Sequence, residues 1–142
     1  MRVEKIMSEI DEQGCIHHLA TLILHDGCDL PPLCKVQFYT EPQDLLQVGY
    51  LDYMPGDSCQ RHYHPVHPRT IERTQEALIV TAGRVSIRFF DMSKKFTAVR
   101  ELRAGETAIL HSGGHEVDSN DGCSMIEVKL GPHQGASDKV HF

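Results

Sequence analysis

Three histidines and a glutamate have the types and spacing of a divalent-metal site. His62-Tyr63-His64 sets two imidazoles two residues apart, Glu76 follows, and His115 lies in a glycine-rich turn. On a strand, residues two apart project to the same side. His62 and His64 are therefore expected to converge on one point, with Glu76 and His115 arriving from later strands. Mixed nitrogen and oxygen donors suit Fe, Mn, Ni, Zn or Cu better than Ca or Mg. An octahedral ion held by such a quartet keeps two positions open for substrate oxygens or dioxygen. It would polarise a carbonyl or stabilise an enediolate.

Neighbouring residues extend the candidate site. His67 and His111 are candidate catalytic or additional ligand groups, with a loop or supporting role as the alternative. Arg69 and Arg73 lie with Glu72 in the stretch Pro65 to Gln75. Guanidinium forks there suit a carboxylate or phosphate, which makes both arginines candidate substrate-binding residues on a lid. The alternative is a solvated loop laced by local ion pairs. Cys59 has no evident base beside it and is expected as a buried thiol. Asp57 is expected to stabilise the turn Pro55-Gly56-Asp57. His17, His18, His25, His133 and His141 are expected as ordinary surface residues.

The elements that must position these groups read as strands. His18 to Leu24 is apolar and closes at Asp26-Gly27. Lys35 to Thr40 alternates and stops before Pro42. Leu46 to Met54 and the short Arg61 to His64 follow. Glu76 to Thr81 and Arg84 to Phe90 flank Ala82-Gly83, which reads as a tight hairpin. Val99 to Leu102, Thr107 to Leu110 and Ser124 to Leu130 complete the series. Leu78, Val80, Val85, Ile87 and Phe89 are the expected core. Helical periodicity shows only faintly, around Val3 to Ile10. Many short strands at regular spacing indicate an all-β sandwich or barrel.

Bulk composition narrows the function classes. A chain of 142 residues fits one domain. The net charge of -6 argues against nucleic acid as a partner. No apolar run reaches the length of a membrane span, and Met1 to Lys5 lacks the apolar stretch of a secretory signal. The cysteines, Cys15, Cys28, Cys34, Cys59 and Cys123, are odd in number and form no C-x-x-C pair. Reduced thiols and a cytoplasmic location are expected.

With these residues in view, the chain resembles the cupins, small β-barrels of jelly-roll type. Their first motif runs Gly, five residues, His-x-His, three or four residues, Glu, six residues, Gly. Gly56, His62, His64, Glu76 and Gly83 fit both ends of it, and Pro65 to Gln75 lengthens the middle. Glu72 is the rival carboxylate, but Ile79 then stands where the closing Gly is required. The second motif runs Gly, five residues, Pro-x-Gly, two residues, His. Gly105 and Gly113 match it, His111 replaces the Pro, and His115 arrives one residue early, at the place before Glu116. The resemblance implies His62, His64, Glu76 and His115 as ligands of one divalent transition metal (Fe, Mn, Ni or Zn).

A closer likeness is to single-domain cupins that carry the stretch His62 to Glu76 and the segment Ile126 to Pro132. That group is often met among genes for surface polysaccharides, which implies a small sugar-like or hydroxy-acid ligand. The expected organisation is a cupin barrel over 46–142 with an N-terminal β extension over 1–45. A homodimer formed through Ile16 to Leu24 is implied as well. The expected reaction is isomerisation or epimerisation, or dioxygenation. Two alternatives stay open: metal-free histidine-based catalysis on a sugar nucleotide, and a non-catalytic small-molecule-binding module.

Overall fold

The alternating run Glu76–Phe90 forms one strand of 15 residues, and four of the eight other strands among the described residues pair with it. A computed structural model describes residues 1–25 and 36–142 of the chain. Among these residues the strands are β1 (Arg2–Met7), β2 (His18–Leu24), β3 (Val36–Phe38), β4 (Gly49–Leu51), β5 (Glu76–Phe90), β6 (Phe96–Arg103), β7 (Thr107–Leu110), β8 (Gly114–Asp118) and β9 (Cys123–Lys129). A single 3-10 turn spans Gly135–Asp138. The protein is all-β, as its sequence pattern indicates, and every strand pair is antiparallel.

The first half of β5 lies between β7 and β9, with Glu76 opposite both Leu110 and Lys129. Its second half lies between β6 and β8, with Phe89 opposite Ala98 and His115. Beyond β7 the order continues to β2 and then β1, while β3 and β4 form a separate pair. Among the described residues the sheets do not close on themselves.

The buried core contains Leu19, Leu22, Leu78, Val80, Val85, Ile87, Phe89 and Leu102. The five residues of β5 expected in the core are all there. Their parity switches, from Leu78 and Val80 to Val85, Ile87 and Phe89. A strand alternates strictly, so one extra residue must intervene. The register against β9 shifts between Val80 and Ala82, which supplies it. Gly83 follows at φ 73°, and a Cβ there would stand 2.4 Å from the Gly122 carbonyl oxygen. A second, smaller core lies elsewhere, where Ile23, Ala77 and Ile109 meet Met1, Tyr39, Leu46 and Val48.

Several expectations are corrected. Ala82-Gly83 is a bulge inside a continuous strand and not a hairpin, because the chain on each side keeps the same direction while changing partners. Arg61 to His64 is not a strand. Residues 52–75 form none, and prolines at 55, 65 and 68 deny that stretch backbone donors. Leu46 to Met54 is strand only over Gly49–Leu51. Of the faint helical pattern at Val3 to Ile10, the part up to Met7 is strand β1 and the rest is irregular. The dimer segment Ile16 to Leu24 contains β2, which is interior, with β1 on one side and β7 on the other. Asp26-Gly27, Cys28, Cys34 and Lys35 lie outside the described residues. Among the described residues, no helix is long and apolar enough to cross a membrane.

Gly83→Ala should cost more than Gly122→Ala. Both glycines have positive φ, but a Cβ at Gly122 meets nothing within 4 Å. The Gly122 variant should therefore lose only the conformational term, about 1–2 kcal/mol. The Gly83 variant adds a clash with backbone. Urea denaturation of both measures the difference, and equal losses would show that the close approach at the bulge carries no cost.

Candidate functional site

Glu76 is the first residue of β5, and its backbone is fixed by strands on both sides. Its side chain is 9% exposed, and Oε2 is buried with no hydrogen-bond partner. His115, on β8, brings Nε2 to 3.4 Å from that oxygen without forming a hydrogen bond. The His115 pKa is lowered, first by burial and further by Lys139, while Glu76 and Glu127 oppose the shift. Its imidazole is therefore biased to the neutral form, which keeps a nitrogen lone pair. Both residues line a cavity of about 610 Å³, together with Leu110, Ser112 and the segment Asp138 to Phe142. A buried carboxylate oxygen without a partner is costly. Facing an imidazole nitrogen, it has the chemistry to share a cation or a proton.

His62 and His64 are exposed and lie in the strandless stretch. Their rings meet edge to face at 5.3 Å. Nδ1 of His62 lies 2.8 Å from the Gln60 carbonyl oxygen. A carbonyl only accepts, so Nδ1 carries the hydrogen and Nε2 keeps its lone pair. An imidazole oriented by a backbone carbonyl in this way is how metal-ligating histidines are commonly held. Thus two of the four expected ligands, Glu76 and His115, come together, and so do His62 and His64. The two pairs do not meet: among the described residues, no group of three or more His, Cys, Asp or Glu is gathered to hold a metal.

The remaining candidates divide. His67 and Arg69 are exposed in the same stretch. Arg73 donates from Nη1 to the Met92 sulfur at 3.6 Å, and Met92 and Thr74 line the cavity, so Arg73 stands at its rim. Cys59 is exposed, not buried, and its sulfur lies 3.6 Å from His62 Nδ1. Asp57 stabilises its turn as expected, accepting from the Met54 N–H at 2.9 Å.

His111 belongs to a different cluster. Leu110 and Ser112 line the cavity, but His111 between them does not. It is buried, and its Nε2 lies 3.1 Å from the Thr21 hydroxyl, which in turn lies 3.0 Å from His18 Nε2. The two imidazoles stack at 4.3 Å. His18 Nε2 is also 3.1 Å from the Ala20 carbonyl and so carries a hydrogen. Thr21 is then free to donate to His111 Nε2. That puts the His111 hydrogen on Nδ1, which is buried without a hydrogen bond and 3.8 Å from Asp44 Oδ1. His18 is therefore not an ordinary surface residue, while His141 is exposed as expected, at the lining of the cavity. The sequence carried one signal for His18: it opens a strand whose next six residues are all buried.

No family model matches this chain, and no curated protein or solved structure matches it either.

The stacked histidines set a pH dependence. Burial is the first cause lowering both pKa values below 6.5. The unfolded chain then binds protons that the folded chain refuses, so stability rises with pH across this window. The contribution is complete above pH 6.5 and is lost as pH falls through the folded values. The Tm should drop by several degrees between pH 7.5 and pH 5.5, and by less in a His18→Gln/His111→Gln variant. An undiminished drop in that variant would exclude the pair as its source.

Proposed function

We propose that this chain is a cupin of jelly-roll type that binds one divalent transition metal. In this reading His62, His64, Glu76 and His115 are the ligands, and a small sugar-like or hydroxy-acid molecule occupies the adjoining cavity. One observation carries it: the buried, unpartnered Glu76 oxygen faces the His115 imidazole at the wall of a cavity of about 610 Å³. The donor set is of the mixed nitrogen and oxygen kind that Fe, Mn, Ni or Zn accepts. When bound, such an ion acts as a Lewis acid toward substrate oxygens. The reaction class we favour is isomerisation or epimerisation of a hydroxy-carbonyl compound, with dioxygenation as the other member.

The roles of the protein's own groups follow from their settings. Glu76 is fixed by two neighbouring strands and supplies the immobile oxygen donor. His115 supplies a nitrogen that is biased to be unprotonated. His62 is oriented by the Gln60 carbonyl with Nε2 free. Arg73, against Met92 at the rim, is suited to a substrate carboxylate or phosphate. His111, directed toward Thr21, serves the protein's stability in this reading and not its chemistry. The homodimer is retained as a proposal, with the edge strand β1 in place of β2.

The same pair of residues favours a second, metal-free reading. A carboxylate 3.4 Å from an imidazole is the arrangement of an acid/base dyad, with Glu76 holding His115 as the proton carrier.

Elemental analysis of untagged protein separates these readings. About one metal per chain is expected, with at least a tenfold loss in His64→Ala and in Glu76→Gln. Both variants should keep the wild-type circular dichroism spectrum. Full metal in both variants would remove the ligand assignment. Protein that stays empty after incubation with Fe(II), Mn, Ni and Zn would leave the dyad.

A further inference from the structure

The candidate site is split within one chain. Glu76 and His115 stand together at the wall of a cavity, while His62 and His64 meet each other in the stretch between β4 and β5. That stretch has the build of an arm. Residues 58–74 are exposed without interruption. The hydrogen bonds of Cys59 and His62 reach residues no more than three positions away. Arg73 returns the arm to the body of the protein, at the Met92 sulfur.

An arm suited to solvent would be polar. This one carries Tyr63 at 84% exposure and Val66 at 95%, and Ile71 is exposed as well. The strands before it show the same kind of surface. Phe38 on β3 and Leu51 on β4 are exposed, and the β3–β4 pair stands apart from the main sheet. Contiguous exposed apolar surface of this kind marks an interaction site. The total area points to its size. The chain of 16.0 kDa exposes 10117 Å², whereas a compact monomer of that mass exposes about 7,400 Å². An excess of roughly 2,700 Å² per chain is on the scale that obligate dimers cover. Two-fold symmetry sets the same arm against the same cavity twice, so the half-site that one copy lacks is the half-site that the other leaves free.

We infer that two copies of this chain exchange the 58–74 arm, so that His62 and His64 of one copy complete the site that Glu76 and His115 of the other begin. The assignment of these four residues as ligands rests on the metal reading of the proposed function. The exchange adds to the β1 edge a second contact between the two copies. His62 arrives with Nε2 free, because Nδ1 is held by the Gln60 carbonyl. Tyr63 and Val66 meet a cavity whose lining includes Leu110, Val117 and Phe142. An arm folded back onto its own cavity would still leave Phe38 and Leu51 in water, whereas a second copy covers both surfaces.

Sedimentation of the full chain should show a dimer at micromolar concentration, and Tyr63→Asp/Val66→Asp should weaken it at least tenfold. A wild-type monomer, or a dimer unchanged in that variant, overturns the exchange. Co-expression of His62→Ala/His64→Ala with Glu76→Gln/His115→Ala tests where the ligands come from. Each double variant alone should be empty of metal. Random pairing makes about half of the dimers mixed, and each mixed dimer keeps one intact site of two, so the pair should recover about a quarter of the wild-type metal content. Wild-type protein that holds metal while the mixture stays empty overturns the exchange and leaves the metal reading intact. Wild-type protein without metal removes the metal reading alone, and the exchange is then decided on the metal-free dimer. In dimers of one labelled and one unlabelled copy, nuclear Overhauser contacts are expected from the Tyr63 ring to the Gly113 and Gly114 amides of the other copy. Their absence overturns the exchange.

Discussion

The rest of the molecule depends on a one-residue insertion in the middle of β5. The strand exchanges partners there, from β7 and β9 to β6 and β8. Without the extra residue, the second half would turn Val85, Ile87 and Phe89 outward and its polar side inward. That exchange would expose three of the largest buried side chains in the protein. The bulge at Val80–Ala82 and the backbone contact at Gly83 are therefore what let one strand serve the same core along its whole length. The site follows from the same geometry. Glu76 begins the first half, Phe89 stands next to the end of the second opposite His115, and Glu76 and His115 line one cavity.

The site has a fixed part and a loosely specified part. Glu76 and His115 come from strands with neighbours, and their positions follow from ladder register. His62 and His64 come from a stretch without strand pairing, where only local bonds such as that to Gln60 orient a side chain. A ligand or ion that joined the two pairs would have to order that stretch, which costs conformational entropy. The rigidity of the candidate site therefore rests with Glu76 and His115 and not with His62 and His64.

Much of this was legible in the residues, and the exceptions have physical reasons. The core of β5 was read correctly because alternation reports burial directly. The bulge was missed because Ala82-Gly83 between two apolar runs has the composition of a hairpin. The parity switch from Val80 to Val85 was the discriminating signal. The meeting of Glu76 with His115 was foreshadowed by motif spacing. Arg61 to His64 misled because residue types at period two were weighed without the prolines around them. The contact between His111 and Thr21 spans 90 residues and follows from the placement of β2 beside β7, which no local pattern encodes. Cys59 was placed inside on the habits of its residue type, yet in a stretch with no strand to bury it the thiol stays outside.

The strand β9 has one further consequence. Among the described residues it pairs only with β5, so its other edge is open. Cys123 and Met125 pack on the core, and Glu127 and Lys129 share their side of the strand by alternation. Ile126 and Val128, on the other side, are exposed. Such a strand would be a template for edge-to-edge aggregation if it were uniformly apolar. A second strand laid along it would have to cover the Glu127 and Lys129 charges, and Lys129 is already committed to Asp138. The Lys129–Asp138 ion pair therefore joins this open edge to the segment that lines the cavity, so one lysine links the two.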